Sequence, residues 1–373
     1  MSRNRKHQAV ALSMLLSIVG LGCLHAVNWA RAESASTVPA VIVPYYEPPK
    51  HAELCGEPVP LDMPDVQERL DREFTIVVYS HAQVYLWLKR MERYFPWIEK
   101  QLARQNLPED LKWVAVAESD LLYTSYSPAG AAGPWQFISS TGRRYGLDQT
   151  TNIDERHDFE MATQSAFNYL KDLHDMFQNW TLAIAAYNCG EGRVKQEIGN
   201  QKIADYYSLK LPLETERYIL RIVAIKEVLS HPERYGYVFP KGAGYPVISV
   251  DHVPVSLSRP VTIQSVAEAA DMTYREFKIL NPAFTSNRIP AGSYTLKVHE
   301  GKGKVLQSRV ASLKPLYEPP KAPKQKVIHH KVKRGETLTG IAKRYKVSIK
   351  EIRTWNKMKK NTIRIGQVLK IIM

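Results

Sequence analysis

"LKWVAVAESDLLYTSYSPAGAAGPWQF", residues 111–137, decides how the rest of the chain is read. Residues 111–117 are apolar nearly all round, the pattern of a helix buried on every side. The run ends in a bare glutamate, Glu118, and a loop of small residues then leads to Trp135-Gln136. An ionised carboxylate beside apolar groups is costly without a partner, so chains keep one there mostly where altered acidity is useful. Val114, Ala115, Val116 and Ala117 would disfavour the charged form and raise the pKa. A helix-end glutamate facing water is the plainer alternative.

A chain of 373 residues, 44% hydrophobic and 24% charged, is expected to form a soluble globular protein of two or three domains. Arg3, Arg5 and Lys6 precede an apolar stretch from residue 9 to about 27, followed by "ARA" at 30–32. That order is the secretory signal pattern, with cleavage after Ala32, although a retained membrane anchor has much the same composition. "VGLGC", ending at Cys23, resembles a bacterial lipoprotein box with Gly20 where Leu is usual. Cleavage would leave Cys55 and Cys189, which export would allow to pair and which fit two free thiols equally well. Neither C-x-x-C nor H-E-x-x-H occurs, so no metal and no cofactor are expected.

Charge is concentrated at one end. Residues 301–373 hold 20 Lys and Arg against Glu318, Glu336 and Glu351, a balance of +17, so the remainder of the net +14 is −3. A basic tail on an exported protein suits an anionic surface, cell-wall polymer or lipid headgroup. Export argues against nucleic acid, and a merely solvated basic face is the bland reading.

Proline marks the joints, at 43–64 and 314–326, both expected to be extended and semi-rigid. Between them residues 65–235 read as helical. Val84, Leu88, Met91 and Phe95 fall at helical spacing, and Pro96 is expected to open a new helix. Asn106-Leu107-Pro108 repeats the device. "WTLAIAAY" (180–187) is a second all-round apolar helix, stopping at Asn188 and Gly190.

Beyond Tyr245 an internal repeat appears: "VTIQSVAEAADMTYREFKILN" (261–281) aligns with "ETLTGIAKRYKVSIKEIRTWN" (336–356). Thr273-x-x-Glu276 and Ser348-x-x-Glu351 are helix-start signatures at one place in each copy. Asn281 meets Asn356, and each copy runs on through a glycine, Gly292 or Gly366, to "YTLKV" or "QVLKI". Each unit therefore reads strand, helix, helix, strand. The second copy (330–371), with its Gly-Glu-Thr-Leu opening and Trp355-Asn356, resembles a LysM domain, which implies binding of N-acetylglucosamine-containing glycans. The first copy lacks that opening and carries "NPAF" at 281–284, so it is LysM-like.

Glu118-Ser119, Ser127 in "SPAGAAG", Gln136, "AAYN" at 185–188 followed by "CGEGRV", and "ETERY" ending at Tyr218 occur in one order. That series resembles the soluble-lytic-transglycosylase (SLT) catalytic domain of glycoside hydrolase family 23, with departures at Pro134 and Cys189. The resemblance implies an α+β multidomain chain, with a mainly α goose-type lysozyme-like catalytic domain followed by small βααβ LysM-like and LysM modules. The implied boundaries are a signal peptide (1–32), a Pro-rich segment (33–64), the catalytic domain (65–240), the degenerate LysM-like domain (241–300), a Pro/Lys-rich linker (301–327) and the LysM domain (328–373). Glu118 would be the catalytic acid and then base. Ser127, Gln136 and Asn188 would hold the sugar, Tyr187 and Tyr218 would shape the pocket and polarise Glu118, and Ser119 would support it. Gly130 and Gly133 read as turns that let substrate approach closely.

Breaking a glycosidic bond needs an acid still protonated near neutral pH, which an apolar setting supplies. Most glycosidases add a second carboxylate, yet Asp120, two positions on, points off the Glu118 face. The expected substrate is the peptidoglycan glycan strand and the expected product a 1,6-anhydromuramoyl end. The expected location is the periplasm or cell envelope, with lipid anchoring at Cys23 the lesser expectation. A goose-type lysozyme or chitinase-like hydrolase, and an inactive wall-binding scaffold, are the rivals.

Overall fold

The computed structural model describes residues 43–313 and 326–372. The expected signal peptide, Cys23, the cleavage point after Ala32 and residues 314–325 of the second proline-rich joint lie outside the described residues. Residues 43–45 are exposed and lack regular structure. The main body begins at Tyr46.

Its first part is helical: α1 (Pro64–Val78), α2 (His81–Arg104), α3 (Lys112–Ser119), α4 (Ser139–Arg144), α5 (Phe159–Phe177), α6 (Trp180–Cys189), α7 (Glu191–Gln201) and α8 (Leu213–Ser230). The two all-round apolar segments, α3 and α6, lie in the interior as their composition requires, and both pack against α8. Lys112, buried on α3, is neutralised by Glu99 at 2.7 Å and by Glu109.

Two sequence expectations fail here. Pro96 lies inside α2, which runs unbroken for 24 residues. A proline there forgoes one helix hydrogen bond, but Phe95, Ile98 and Leu102 carry the buried face established by Val84 and Leu88 straight through it. Each such side chain contributes about 1.5–3 kcal/mol on burial, enough to offset the defect. The proline-rich segment 43–64 is also more than a spacer. It forms a small antiparallel hairpin, β1 (Glu53–Leu54) with β2 (Glu57–Pro58), and inserts Leu54 and Val59 into the helical core. Glu57 accepts hydrogen bonds from the Trp180 and Thr181 amides at the start of α6, where a negative charge complements the helix dipole.

The repeat folds as two related units. The first comprises β3 (Val250–Leu257), β4 (Val261–Thr262), α9 (Ile263–Ala269), α10 (Tyr274–Leu280), β5 (Arg288–Ile289) and β6 (Gly292–His299). The second comprises β7 (Val327–Lys331), α12 (Leu338–Tyr345), α13 (Ile349–Trp355) and β8 (Val368–Ile372). Outer strands pair antiparallel in both, Val250 opposite His299 and Val327 opposite Ile372. Both capping boxes form, at Thr273/Glu276 and Ser348/Glu351. The aligned asparagines do the same work: Asn281 exchanges two hydrogen bonds with the Lys297 backbone, and Asn356 does so with Lys370.

Helix α11 (Gly303–Arg309) corrects the expected start of the linker at 301. It follows β6 directly and buries Leu306 in the first unit's core, with Val310 and Leu313 packed beside it. Cys55 and Cys189 are free thiols. Among the described residues no helix is long and apolar enough to cross a membrane.

Candidate active site

Helix α3 stops one residue after Glu118, at Ser119, because Asp120 and Leu121 adopt left-handed backbone, at φ 58° and 60°. Two α2 side chains hold that turn. Trp87 Nε1 donates to the Asp120 carboxylate at 2.7 Å and Arg90 donates to the Asp120 carbonyl at 3.1 Å. Asp120 is thereby committed elsewhere, and Glu118 is left in the last turn of a buried helix.

The influences on the Glu118 carboxyl can be separated. Burial dominates and pushes its pKa up from the ordinary carboxylate range to about 7, with exposed Glu214 adding in the same direction. The Tyr218 hydroxyl on α8 donates to Glu118 Oε1, and this bond, with the more distant Arg221, pulls the other way. Position adds to burial, since the C-terminal end of a helix disfavours negative charge. Burial and the neighbouring carboxylate also raise the Tyr218 hydroxyl well above its usual range, so it stays a neutral donor. Among the described residues no carboxylate hydrogen-bonds Glu118.

The other expected site residues organise the loop at 125–137. Ser119 Oγ donates to the Pro134 carbonyl at 2.7 Å, and Tyr187 Oη donates to the Trp135 carbonyl at 2.7 Å. Tyr187 is thus tied to the loop instead of donating to Glu118, and burial first, then the Glu118 carboxylate, raise its pKa well above the usual range. Trp135 itself is fully buried, with Nε1 on Thr163 Oγ1 at 2.8 Å. Ser127 Oγ accepts from the Ala131 amide at 3.0 Å. Gln136 sits in left-handed backbone at φ 48°, its side-chain amide on the Gly133 carbonyl at 2.8 Å. Such backbone costs roughly 1–3 kcal/mol and persists only where the surroundings impose it. Asn188, near the end of α6, accepts from Thr215 Oγ1 at 2.8 Å. Glu118 and Tyr218 are therefore in direct contact, Ser119 and Tyr187 fix the loop behind them, and Ser127, Gln136 and Asn188 are held by local bonds.

Arg156 went unnoticed in the sequence. Its buried guanidinium donates to the carbonyls of Gly130 and Phe137, each at 2.9 Å, and pairs with Asp154 through Nε at 2.9 Å and Nη2 at 2.7 Å. The Arg156 carbonyl passes so close to Gly133, at φ 81°, that a Cβ there would lie 1.7 Å from it. Gly133 is thus required by the approach of a neighbouring chain, not of substrate. Asp154-Glu155-Arg156 reads as an exposed polar run, and no local signal distinguishes it. Among the described residues no cluster of three His, Cys, Asp or Glu could hold a metal ion.

Comparison with known proteins places names beside this geometry. Residues 95–209 match the Transglycosylase SLT domain, 330–371 the LysM domain, and 251–314 the LysM-like domain of lytic transglycosylase MltD. The third span ends where α11 and its following turn end, and so agrees with the structural correction. Over 293 residues the chain is 33% identical to membrane-bound lytic murein transglycosylase D of Escherichia coli K12, covering 76% of this chain and 64% of that protein's length. The 70 kDa soluble lytic transglycosylase of Escherichia coli is 24% identical, covering 34% of this chain and 22% of its own, with TM-score 0.29. The lytic transglycosylase Slt of Pseudomonas aeruginosa, in an inactive mutant, is 18% identical over 41% and 25% of the two chains, also at 0.29. At those TM-scores neither structure carries weight. The chain thus carries, in order, matches to the SLT transglycosylase, LysM-like and LysM domains, and it is similar to membrane-bound lytic murein transglycosylase D over 64% of that protein's length.

Proposed function

We propose that the chain is a peptidoglycan lytic transglycosylase that cleaves the β-1,4 linkage between N-acetylmuramic acid and N-acetylglucosamine without consuming water. One observation carries the reading: a single half-buried carboxyl, Glu118, whose desolvation raises its pKa to about 7 and whose one hydrogen-bond partner among the described residues is a neutral tyrosine. Near neutral pH a substantial fraction still holds its proton, and the conjugate base is strong enough to take one back. Glu118 protonates the bridging oxygen, the C1–O bond breaks, and the substrate's own acetamido group stabilises the cationic centre. The Glu118 carboxylate then removes the proton from the muramoyl 6-hydroxyl, whose oxygen bonds to C1. The product is a 1,6-anhydromuramoyl end, and the enzyme is returned protonated. An enzyme that worked through a covalent glycosyl intermediate or an activated water would need a second carboxylate beside the first.

In this reading Tyr218 steadies the carboxylate form, which favours proton donation in the first step. Ser127, Gln136 and Asn188 contact the sugar through the valences their bonds leave unused, while Ser119 and Tyr187 fix the loop that presents Ser127 and Gln136. The basic LysM module holds the polymer and raises the local concentration of chain ends, provided the proline-rich joint spans both sites. The setting is the cell envelope.

Mass spectrometry of digested murein tests this. Anhydro ends from wild type, abolished in Glu118→Gln, are the expected result. Reducing ends would make the protein a hydrolase, and no fragments at all would make it a wall-binding scaffold.

A further inference from the structure

The "NPAF" stretch that sets the first repeat apart turns out to be its docking edge. The Asp154 amide donates to the Ala283 carbonyl at 2.7 Å and the Thr285 amide to the Asn152 carbonyl at 2.9 Å, so Ile153 and Phe284 face each other in an antiparallel bridge. Ile153 leaves the helical domain and enters the repeat's own core beside Phe284. Lys297, 12% exposed, reaches both Asp158 oxygens at 2.8 Å, and Asp158 caps α5 through the Glu160 and Met161 amides. His252 meets Glu160 at 2.8 Å.

The second repeat lacks each of these features. Lys370, placed as Lys297 is by the same asparagine exchange, is exposed, and Pro282-Ala283-Phe284 gives way to Lys357-Met358-Lys359 after Asn356. One unit has an apolar edge that is covered, the other a basic edge open to solvent.

We propose that the first repeat is a clamp on the catalytic domain rather than a second glycan-binding module, and that Arg156 is the positioning residue through which it acts. The clamped segment 152–154 leads directly into Arg156, whose guanidinium bridges Gly130 and Phe137 across the loop bearing Ser127 and Gln136. Holding 152–158 therefore holds 126–137. The consequence for turnover rests on the transglycosylase reading, whereas the mechanical coupling does not.

The test uses the full chain in three forms: wild type, Phe284→Asp, which puts a charge into the junction, and Arg156→Lys, which keeps the charge and loses the fork. Amide exchange of Asp154 and Thr285 reports docking, and that of Ser127, Ala131 and Phe137 reports the loop. Phe284→Asp is expected to speed exchange at both places, and Arg156→Lys at the loop alone. In both variants turnover of murein falls by about tenfold to a hundredfold, the amount of protein sedimenting with murein is unchanged, and the pH at which activity declines stays put. The clamp is overturned if the loop amides keep wild-type exchange in Arg156→Lys. It is equally overturned if Phe284→Asp leaves the loop or the junction as in wild type, or if sedimentation falls in proportion to activity. A wild type that releases no product defeats the transglycosylase reading instead, and the exchange results still decide the clamp.

Discussion

Glu118 in the helical region and Glu336 in the C-terminal module are the same side chain driven in opposite directions. Glu118 is half-buried at a helix end with one tyrosine as donor, and desolvation of its carboxyl raises the pKa to about 7. Glu336 accepts from the Lys333 amide at 2.9 Å, has His330 Nε2 at 2.8 Å and pairs with Arg344 at 2.6 Å, and its pKa falls to about 2. Surplus donors make a carboxylate a permanent anion suited to structure, whereas apolar walls with few donors make one that can give and recover a proton. The two regions separate those duties.

The largest effect expected from disturbing this contrast is on chemistry. Glu118→Gln should lower release of soluble muropeptides by about 10²–10⁴-fold, the range for removing a general acid or base. The same variant should be more stable than wild type at pH 8. A carboxyl whose folded pKa lies above its unfolded value costs stability once pH exceeds the unfolded value, and a shift from 4.5 to about 7 amounts to at most about 3 kcal/mol. At pH 4 the advantage should vanish, and denaturant titrations at the two pH values read it. Equal stability differences at both would mean that burial does not perturb Glu118.

Tyr218→Phe removes the donor that favours the charged form. Turnover should drop by about ten- to a hundredfold, as for loss of a hydrogen bond to a charged group, and the decline of activity with pH should move upward. Smallest is Glu336→Gln. Its lowered pKa contributes stability above the usual carboxylate range, and that contribution is lost as pH falls toward 2. Amides of β7 and β8 in the full chain should exchange faster in the variant at pH 7 and alike in both near pH 2.

Much of this was legible from local pattern. Helices α3 and α6 announce themselves by apolar residues on every side, and Glu118 stands out because it ends one of them. The capping boxes and the paired asparagines of the repeat are short-range devices that survive translation into sequence spacing. What stayed hidden depends on partners distant in the chain. Pro96 is tolerated because of what α2 buries, Leu54 is anchored by helices far downstream, and Arg156 reaches carbonyls 19 and 26 positions away. Leu306 looked like part of a linker because seven residues of helix carry little signal until the core they cover is known. Tyr187 is expected from the sequence to polarise Glu118, but the direction of its hydroxyl is set by the Trp135 carbonyl, 52 positions away.

The most direct test is a titration of Glu118 itself. Carbon-13 labelling of glutamate carboxyls, with the Glu118→Gln spectrum subtracted to assign the resonance, gives its protonation in the intact protein. A midpoint near pH 7 is the predicted result. A midpoint below about 5, the range of an ordinary exposed glutamate, would contradict the account.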